Sequence, residues 1–194
     1  MSQEINEDEI IETLENDGFI VQKNIKMGKW RADAIINSSH QGAIIVEVKN
    51  KISIPDVLST ASMTQHIPSN MISGMGTIST YYTPMSSVKN LASNNEIAII
   101  NWSEPEKARV YYKFLEKITS IESYAKKISK MNRLSIDNII HLLLSHHVIT
   151  KELAEELQKI WTIRNKIIHN QDVNIIEINN ASELADQILK IIKY

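Results

Sequence analysis

Residues 31–50, RADAIINSSHQGAIIVEVKN, decide the fold of this chain. Two apolar runs rich in β-branched residues, 34–36 and 44–46, flank the turn-forming stretch 38–42, SSHQG. This pattern predicts two consecutive strands joined by a short turn. An Asp lies early in the first strand and a Glu-x-Lys pair ends the second. Core strands seldom carry charge without a function, because burying an unpaired charge costs several kcal/mol.

The three charged residues in these strands are Asp33, Glu47 and Lys49. Side chains alternate along a strand, so Glu47 and Lys49 share one face. Two carboxylates and an ammonium that meet at a strand end suit a divalent metal with a charged group beside it. This is the chemistry of metal-assisted phosphodiester hydrolysis. The alternative is purely structural, with Glu47 and Lys49 as an ion pair at the strand edge and Asp33 as a turn cap.

Composition sets limits on the class of protein. The 194 residues suffice for one large domain or two small ones, and 43% hydrophobic content is ordinary for a folded protein. No Cys is present, which excludes disulfides and fits a reducing, cytoplasmic location. No apolar run approaches the ~20 residues that span a bilayer, so no membrane association is expected. The net charge of -2 gives no global basic surface, although the sequence places four basic residues close together: Lys23, Lys26, Lys29 and Arg31.

Periodicity and breakers divide the chain into two halves. The first half reads as a helix, three strands, and then alternating helices and strands, with approximate bounds 5–17, 19–25, 31–37, 43–49, 54–66, 71–82, 84–92 and 96–102. The order αβββαβαβ predicts an α/β domain with a mixed central sheet, parallel toward its end. No Gly or Pro occurs after Pro105, and four helical patterns follow, at about 105–131, 135–148, 150–169 and 182–193. We therefore predict an α/β domain over 1–102 and an all-α four-helix bundle over 103–194.

Taken together, Glu7, Asp33, Glu47 and Lys49 resemble the site of the PD-(D/E)xK nuclease superfamily, which has the restriction-endonuclease-like fold. The helix sequence EDEIIETLENDGF, residues 7–19, is similar to the first helix of archaeal Holliday-junction resolvases. The stretch 74–102 is similar to the end of Mrr-type restriction endonucleases. The chain departs from the pattern at Ala32, where the family has its eponymous Pro.

The resemblance implies a role for each matching residue. Asp33 and Glu47 would bind Mg²⁺ or Mn²⁺, with the Val48 carbonyl as a further ligand and Lys49 positioning or activating the attacking water. Glu7 would be an outer or second-metal ligand, with Glu9 and Glu12 as competing candidates. Gln65 matches a Gln that some members place beside the active site. The expected activity is DNA endonuclease, in restriction, defence or DNA processing. A homodimer is also expected, with the helical bundle as one candidate interface.

The charge chemistry is consistent with these implied roles. A phosphodiester transition state gathers negative charge, which a divalent cation on hard oxygen ligands neutralises. The pKa of Lys49 should be lowered beside such a cation.

The helix at about 150–169 carries Arg164-Asn165 followed by His169, which resembles the Arg-x4-His motif of HEPN domains. In ribonucleases of that family these residues cut RNA without metal, usually across a dimer interface. Arg164 and His169 lie about 140° apart around a helix, so a complete site would need a partner helix or a distorted helix end. The alternatives are that Arg164 and Asn165 are polar groups of the bundle and that His169 is a helix cap. A non-catalytic nucleic-acid-binding or partner-binding module is the third possibility.

Overall fold

The computed structural model describes residues 6–131 and 134–192. The first part contains, in chain order, α1 Glu7–Asn16, β1 Ile20–Met27, β2 Trp30–Ser38, β3 Gly42–Val48, α2 Ile54–Thr64, β4 Ser73–Thr80, α3 Ser86–Asn94 and β5 Ile97–Asn101. The described helices that follow are α4 Pro105–Ser129, α5 Ile136–Ser145, α6 Lys151–Ile168 and α7 Ile175–Ile192. The predicted fold class, an α/β part followed by a helical region, is confirmed. The first residue of the predicted helix 5–17 and the last residue of the predicted helix 182–193 lie outside the described residues.

The five strands form one mixed sheet whose spatial order follows the sequence. The pairs β1–β2 and β2–β3 are antiparallel, whereas β3–β4 and β4–β5 are parallel. Helices α2 and α3 provide the crossovers that parallel neighbours require. The carboxyl ends of β3, β4 and β5 consequently meet at one edge of the sheet.

Helices cover both faces of the sheet. Ile10 of α1 belongs to the same buried cluster as Ile44 of β3, and α4 covers the same face. On the opposite face Met63 of α2 packs with Ile45, and α3 packs over Ile78. Strand β3 is buried along its full length, as expected for a strand covered on both faces.

A chain of buried hydrogen bonds fixes α4 to the sheet. Trp102 Nε1 donates to Ser79 Oγ at 2.9 Å, and Ser79 Oγ lies 2.8 Å from the hydroxyl of Tyr112. That hydroxyl is 3.0 Å from Thr77 Oγ1, which donates to the Ile45 carbonyl at 2.9 Å. The Thr77 hydroxyl donates its proton to the Ile45 carbonyl. The Tyr112 hydroxyl must therefore donate to Thr77 Oγ1 and accept from the Ser79 hydroxyl. Each of the three hydroxyls in this series, those of Thr77, Ser79 and Tyr112, therefore has a hydrogen-bond partner.

Helix α4 also joins the two predicted halves. Its buried residues Leu115 and Ile118 belong to one apolar cluster that includes Ile44 and Ile100 of the sheet and Ile188 of α7. The core thus continues across the predicted boundary at residue 103. The division into domains 1–102 and 103–194 stays a prediction.

The last helix begins earlier than predicted. Helix α7 starts at Ile175 and not near Ser182, which lies inside the helix and is buried. The Asn174 side chain accepts a hydrogen bond from the Ile176 N–H at 2.8 Å, and its carbonyl accepts from the Ile178 N–H at 3.1 Å. Asn174 thereby caps the helix, a position at which Asn is among the preferred residues.

The β1–β2 hairpin changes faces along its length. Val21 pairs with Ile36 and both pack under α1 and α4, whereas Ile25 pairs with Ala32 and both pack on the α2 side. Residues two or four positions apart in a strand normally point to the same face of the sheet, and Val21 and Ile25 do not. The hairpin is therefore strongly twisted between these two pairs. Asn24 lies between them in the left-handed conformation, with φ of 55°. The distal hairpin consequently folds over α2.

None of the helices in the ranges 6–131 and 134–192 combines the length and the apolar character needed to cross a bilayer.

Candidate metal and phosphodiester site

The candidate site lies where β2 and β3 separate. Regular pairing of the two strands ends at Ala34 and Val46. Beyond that point the Asp33 N–H donates to Glu47 Oε1 at 3.2 Å, and the Val48 N–H donates to Asp33 Oδ2 at 2.8 Å. The side chains thus take over hydrogen bonds that the strand ladder would otherwise make. Both carboxylates are held in place by the backbone of the opposite strand.

Lys49 lies between the two carboxylates. Its Nζ is 2.9 Å from Glu47 Oε2 and 3.2 Å from Asp33 Oδ2, and its N–H donates to the Ser79 carbonyl at 3.0 Å. The Lys49 side chain is 28% exposed and that of Asp33 is 19% exposed, whereas Glu47 is only 5% exposed. The group is therefore buried at Glu47 and open to solvent at Asp33 and Lys49. The predicted convergence of these three side chains is present in the structure.

Burial and mutual charge shift two pKa values in this group. Burial raises the pKa of Glu47, and the hydrogen bond from Lys49 only partly offsets this effect. Burial alone would lower the pKa of Lys49, but the hydrogen bond and charge of Glu47 and the charge of Asp33 outweigh it and raise that pKa. This direction is opposite to the one expected beside a bound cation, because here the neighbours of Lys49 are carboxylates. Lys49 is therefore an ammonium at neutral pH.

Glu7 is half-buried at the first position of α1, while Glu9 and Glu12 are exposed. Burial raises the pKa of Glu7, and the negative charge of Asp33 raises it further. The Glu7 carboxyl is thus close enough to the pair to respond to its charge. Its role as a ligand stays a prediction.

Gln65 is exposed and directly follows the last residue of α2. The polar contacts that the described residues make within the site involve Asp33, Glu47, Val48 and Lys49, and Gln65 takes part in none of them. Its catalytic role also stays a prediction.

The donor atoms fit a hard divalent cation. The carboxylates of Asp33 and Glu47 both contact the Lys49 ammonium. Asp33 Oδ1 accepts no hydrogen bond within the described part of the chain, so this oxygen is available to a cation. No group of three or more His, Cys, Asp or Glu residues in 6–131 and 134–192 is arranged to hold a metal ion. Mg²⁺ commonly needs only one or two carboxylates, because it keeps several of its water molecules. The Val48 carbonyl is a further oxygen at the same strand end.

The second predicted site has a different character. Arg164 is 8% exposed, and its guanidinium lies 3.6 Å from Glu122 and 3.7 Å from Glu96. It also donates to Asn165 Oδ1 at 3.2 Å and lies over the ring of Trp161. These contacts are those of a buried ion pair within the chain.

His169 ends α6 and is exposed, and its ring Nδ1 contacts the hydroxyl of Ser93. Its backbone N–H donates to the Asn165 carbonyl at 2.8 Å. Arg164 and His169 therefore have separate partners in one protomer. A ribonuclease role for them stays a prediction.

Sequence reasoning missed the backbone part of the site. The N–H groups of Asp33 and Val48 hold the carboxylates, and the twist at Asn24 precedes the separation of the strands. An available signal was Asn24 itself, because Asn favours the left-handed conformation and interrupts an otherwise β-prone run.

No family model matches the chain, and no curated protein matches it. Among solved structures it is similar to a repair endonuclease from Pyrococcus abyssi, with 12% identity and a TM-score of 0.39 over 51% of this chain and 47% of that one. The chain thus spans about half the length of that protein. It is also similar to the protein of unknown function AF1548, with 12% identity and a TM-score of 0.44 over 85% of this chain and 97% of that one.

Proposed function

We propose that the protein is a metal-dependent endonuclease that hydrolyses DNA phosphodiester bonds, in defence or in DNA processing. The observation that carries this proposal is the meeting of the Asp33 and Glu47 carboxylates around the Lys49 ammonium at the point where two strands separate. Such an arrangement costs free energy, because Glu47 is buried and its pKa is raised. A structural ion pair at an exposed strand edge would not need a buried carboxylate.

In this proposal the acidic residues and the lysine have different roles. Asp33 and Glu47 would hold Mg²⁺ or Mn²⁺ together with the Val48 carbonyl. When bound there, such a cation would neutralise charge on the phosphoryl group and lower the pKa of bound water. Lys49, an ammonium beside both carboxylates, would position or activate the attacking water.

The β1–β2 hairpin offers a surface for the nucleic-acid backbone. Lys26 and Arg31 are direct cross-strand partners, and both are exposed. Like charges in this position destabilise a sheet, whereas a phosphate between them would relieve the repulsion. The hairpin leads directly into Asp33, so a strand bound along it would reach the site.

The test is cleavage of supercoiled DNA by the purified protein with Mg²⁺ or Mn²⁺ and with a chelator. We expect nicking that requires the metal and that Lys49→Ala lowers by about 10²–10³-fold, the usual loss for one electrostatic group. Lys51→Ala is the matched control, because Lys51 is an exposed lysine two positions further along the chain. Full activity of Lys49→Ala, or cleavage that persists in the chelator, would contradict the proposal.

The same preparation tests the ribonuclease alternative. RNA cleavage that survives the chelator and disappears in His169→Ala would favour the helical region as the active part. Gel filtration of the same samples measures whether the protein is the homodimer that we propose.

A further inference from the structure

A cavity of about 330 Å³ opens at the β5 edge of the sheet, where the end of this strand meets the start of α4 and the segment that follows α6. Ile99 and Asn101 of β5 line it, together with Lys89 of α3 and Lys107 of α4. The crevice outside the carboxyl ends of parallel strands is the usual place for ligands in α/β sheets. None of the residues proposed for catalysis lines this cavity.

The cavity and the candidate site lie on the same face of the sheet. Glu47 pairs with Ile78, and Ile78 pairs with Ile99, so these residues form one row across β3, β4 and β5. Ile78 and Ile99 belong to the apolar cluster under α2 and α3. Side chains in such a row share a face, and residues two positions further along return to it, so Lys49 and Asn101 are on this face as well. They are two strand spacings apart, or ~10 Å.

The hydrogen bonds around the cavity leave donors for a ligand. Asn101 Oδ1 accepts from the Ser103 N–H at 2.9 Å, so the amino group of Asn101 is the part that a ligand can use. Tyr111 also lines the cavity, and burial raises its pKa, so its hydroxyl keeps its proton at neutral pH. An amide N–H group and a phenol O–H group are donors that suit the oxygens of an anion.

The charges of the lining favour an anion on the side of α3. Lys107 is paired with Asp172, whose side chain is 87% exposed. Glu104 is exposed as well, so its charge is screened by solvent. Lys89 is half-buried, and it has no ion-pair partner among the described residues. Its charge is therefore uncompensated at the wall of the cavity.

A DNA phosphate would supply the charge and the acceptor oxygens that this lining calls for. The volume of the cavity equals that of about eleven water molecules, which accommodates a phosphate group with part of its sugar. Successive phosphates of one DNA strand rise ~3.4 Å along the duplex axis. A strand with one phosphate at Lys49 would therefore bring another to Asn101 within about three nucleotides.

We propose that this cavity binds a backbone phosphate of the DNA strand that is cut, with Lys89 as the charged donor and the Asn101 amino group as a second donor. The inference rests on the proposed function, because it assumes that DNA reaches the Asp33–Glu47–Lys49 site. Lys89 acts away from the reacting atoms, so it is a positioning residue that holds the strand along the sheet edge. Phosphate contacts of this kind make affinity depend on salt and carry no sequence information.

The experiment measures DNA binding and not cleavage. Fluorescence anisotropy in a chelator gives the Kd for a fluorescein-labelled duplex over a range of KCl concentrations. The slope of log Kd against log [KCl] reports how many phosphates the protein neutralises. Lys89→Gln should lower this slope by about 0.9 and raise Kd about tenfold at low salt, whereas Lys89→Arg should retain both values. Lys127→Gln, at an exposed lysine near the other end of α4, is the matched control and should change neither.

Asn101→Asp provides a second, independent variant. The new carboxylate can still accept from the Ser103 N–H, so the local turn is kept, but a negative charge replaces the amino donor. We expect this variant to weaken binding at least as much as Lys89→Gln does. Asn138→Asp adds the same charge at an exposed position of α5 and should leave Kd unchanged.

The outcomes separate this inference from the proposed function. An unchanged salt slope in Lys89→Gln, an equal loss in Lys127→Gln, or an unchanged Kd in Asn101→Asp would overturn the inference, as would the absence of duplex binding. With Mg²⁺ present, Lys89→Gln should raise KM more than it lowers kcat, because the residue contributes to binding and not to the chemical step. A protein that shows these binding effects but never cleaves with metal would refute the proposed function and leave the phosphate site standing.

Discussion

Tyr112→Phe is the substitution that tests most directly how the two parts of the chain are joined. Tyr112 is fully buried, and its hydroxyl lies between Ser79 and Thr77 in the hydrogen-bond chain that ties α4 to the sheet. The substitution removes one oxygen and leaves the ring in place. Thr77 still donates to the Ile45 carbonyl, whereas the Ser79 hydroxyl loses its acceptor.

The expected cost follows from that single unpaired donor. A buried donor without a partner costs ~1–3 kcal/mol, so we expect the free energy of unfolding to fall by about 2 kcal/mol. For a chain of this size each kcal/mol lowers Tm by ~2–4 °C, which gives a loss of roughly 4–8 °C. Burial raises the pKa of Tyr112 to about 12, so its phenol is protonated at neutral pH. The neutral form is favoured in the fold, so the effect should be constant below pH ~10 and decline only above it.

The assay is urea denaturation followed by far-UV circular dichroism for the helices and by tryptophan fluorescence. Because α4 shares its core with the sheet, both probes should shift together in one transition. Tyr124→Phe is the matched control, because Tyr124 is also on α4 but its ring packs against His40; it should cost less than about 0.5 kcal/mol. A shift as small as in this control, or separate transitions for the two probes, would refute the reasoning.

Three other predictions concern the hairpin, an ion pair and the metal. Asn24→Val should be less stable than Asn24→Gly by about 1–2 kcal/mol, because the φ of 55° disfavours a β-branched residue; equal urea midpoints would argue against the twist. The hydrogen bonds from Arg109 lower the pKa of Asp17, so this pair stabilises the fold above pH ~4 and its contribution is lost as the pH falls through the lowered pKa. Asp17→Asn should therefore destabilise the protein at pH 7 but not at pH 2, as measured by urea unfolding. Mg²⁺ at about a hundred times its Kd should stabilise the wild type by ~2.7 kcal/mol in thermal unfolding, and Asp33→Asn should abolish this gain; an equal gain in the variant would exclude Asp33 as a ligand.

The α/β order could be predicted from sequence because each strand and helix has a clear period and clear breaks. The position of α4 could not. Its apolar stripe identifies a helix but does not say what that stripe covers, and buried Tyr112 contacts the sheet as well as belonging to the helical region. The sequence pattern predicts too late a start for α7, because Asn174 and Ser182 are both common helix-capping residues.

The site could be predicted at the level of which residues meet. Asp33, Glu47 and Lys49 come together because alternation and strand order require it. The sequence does not show that the strands separate there or that backbone N–H groups hold the carboxylates, because alternation does not indicate where strand pairing ends. The pKa of Lys49 is raised because its neighbours are the carboxylates of Glu47 and Asp33. The alternation of residues along the strand does not predict the direction of this shift.

The placement of α4 has a consequence for how the protein is made. Strand β5 is complete at Asn101, but α4, which covers one face of the sheet, extends to Ser129. A nascent chain on the ribosome would therefore expose an apolar face of the complete sheet until α4 has been synthesised. Fragments that end after β5 should aggregate when they are produced alone.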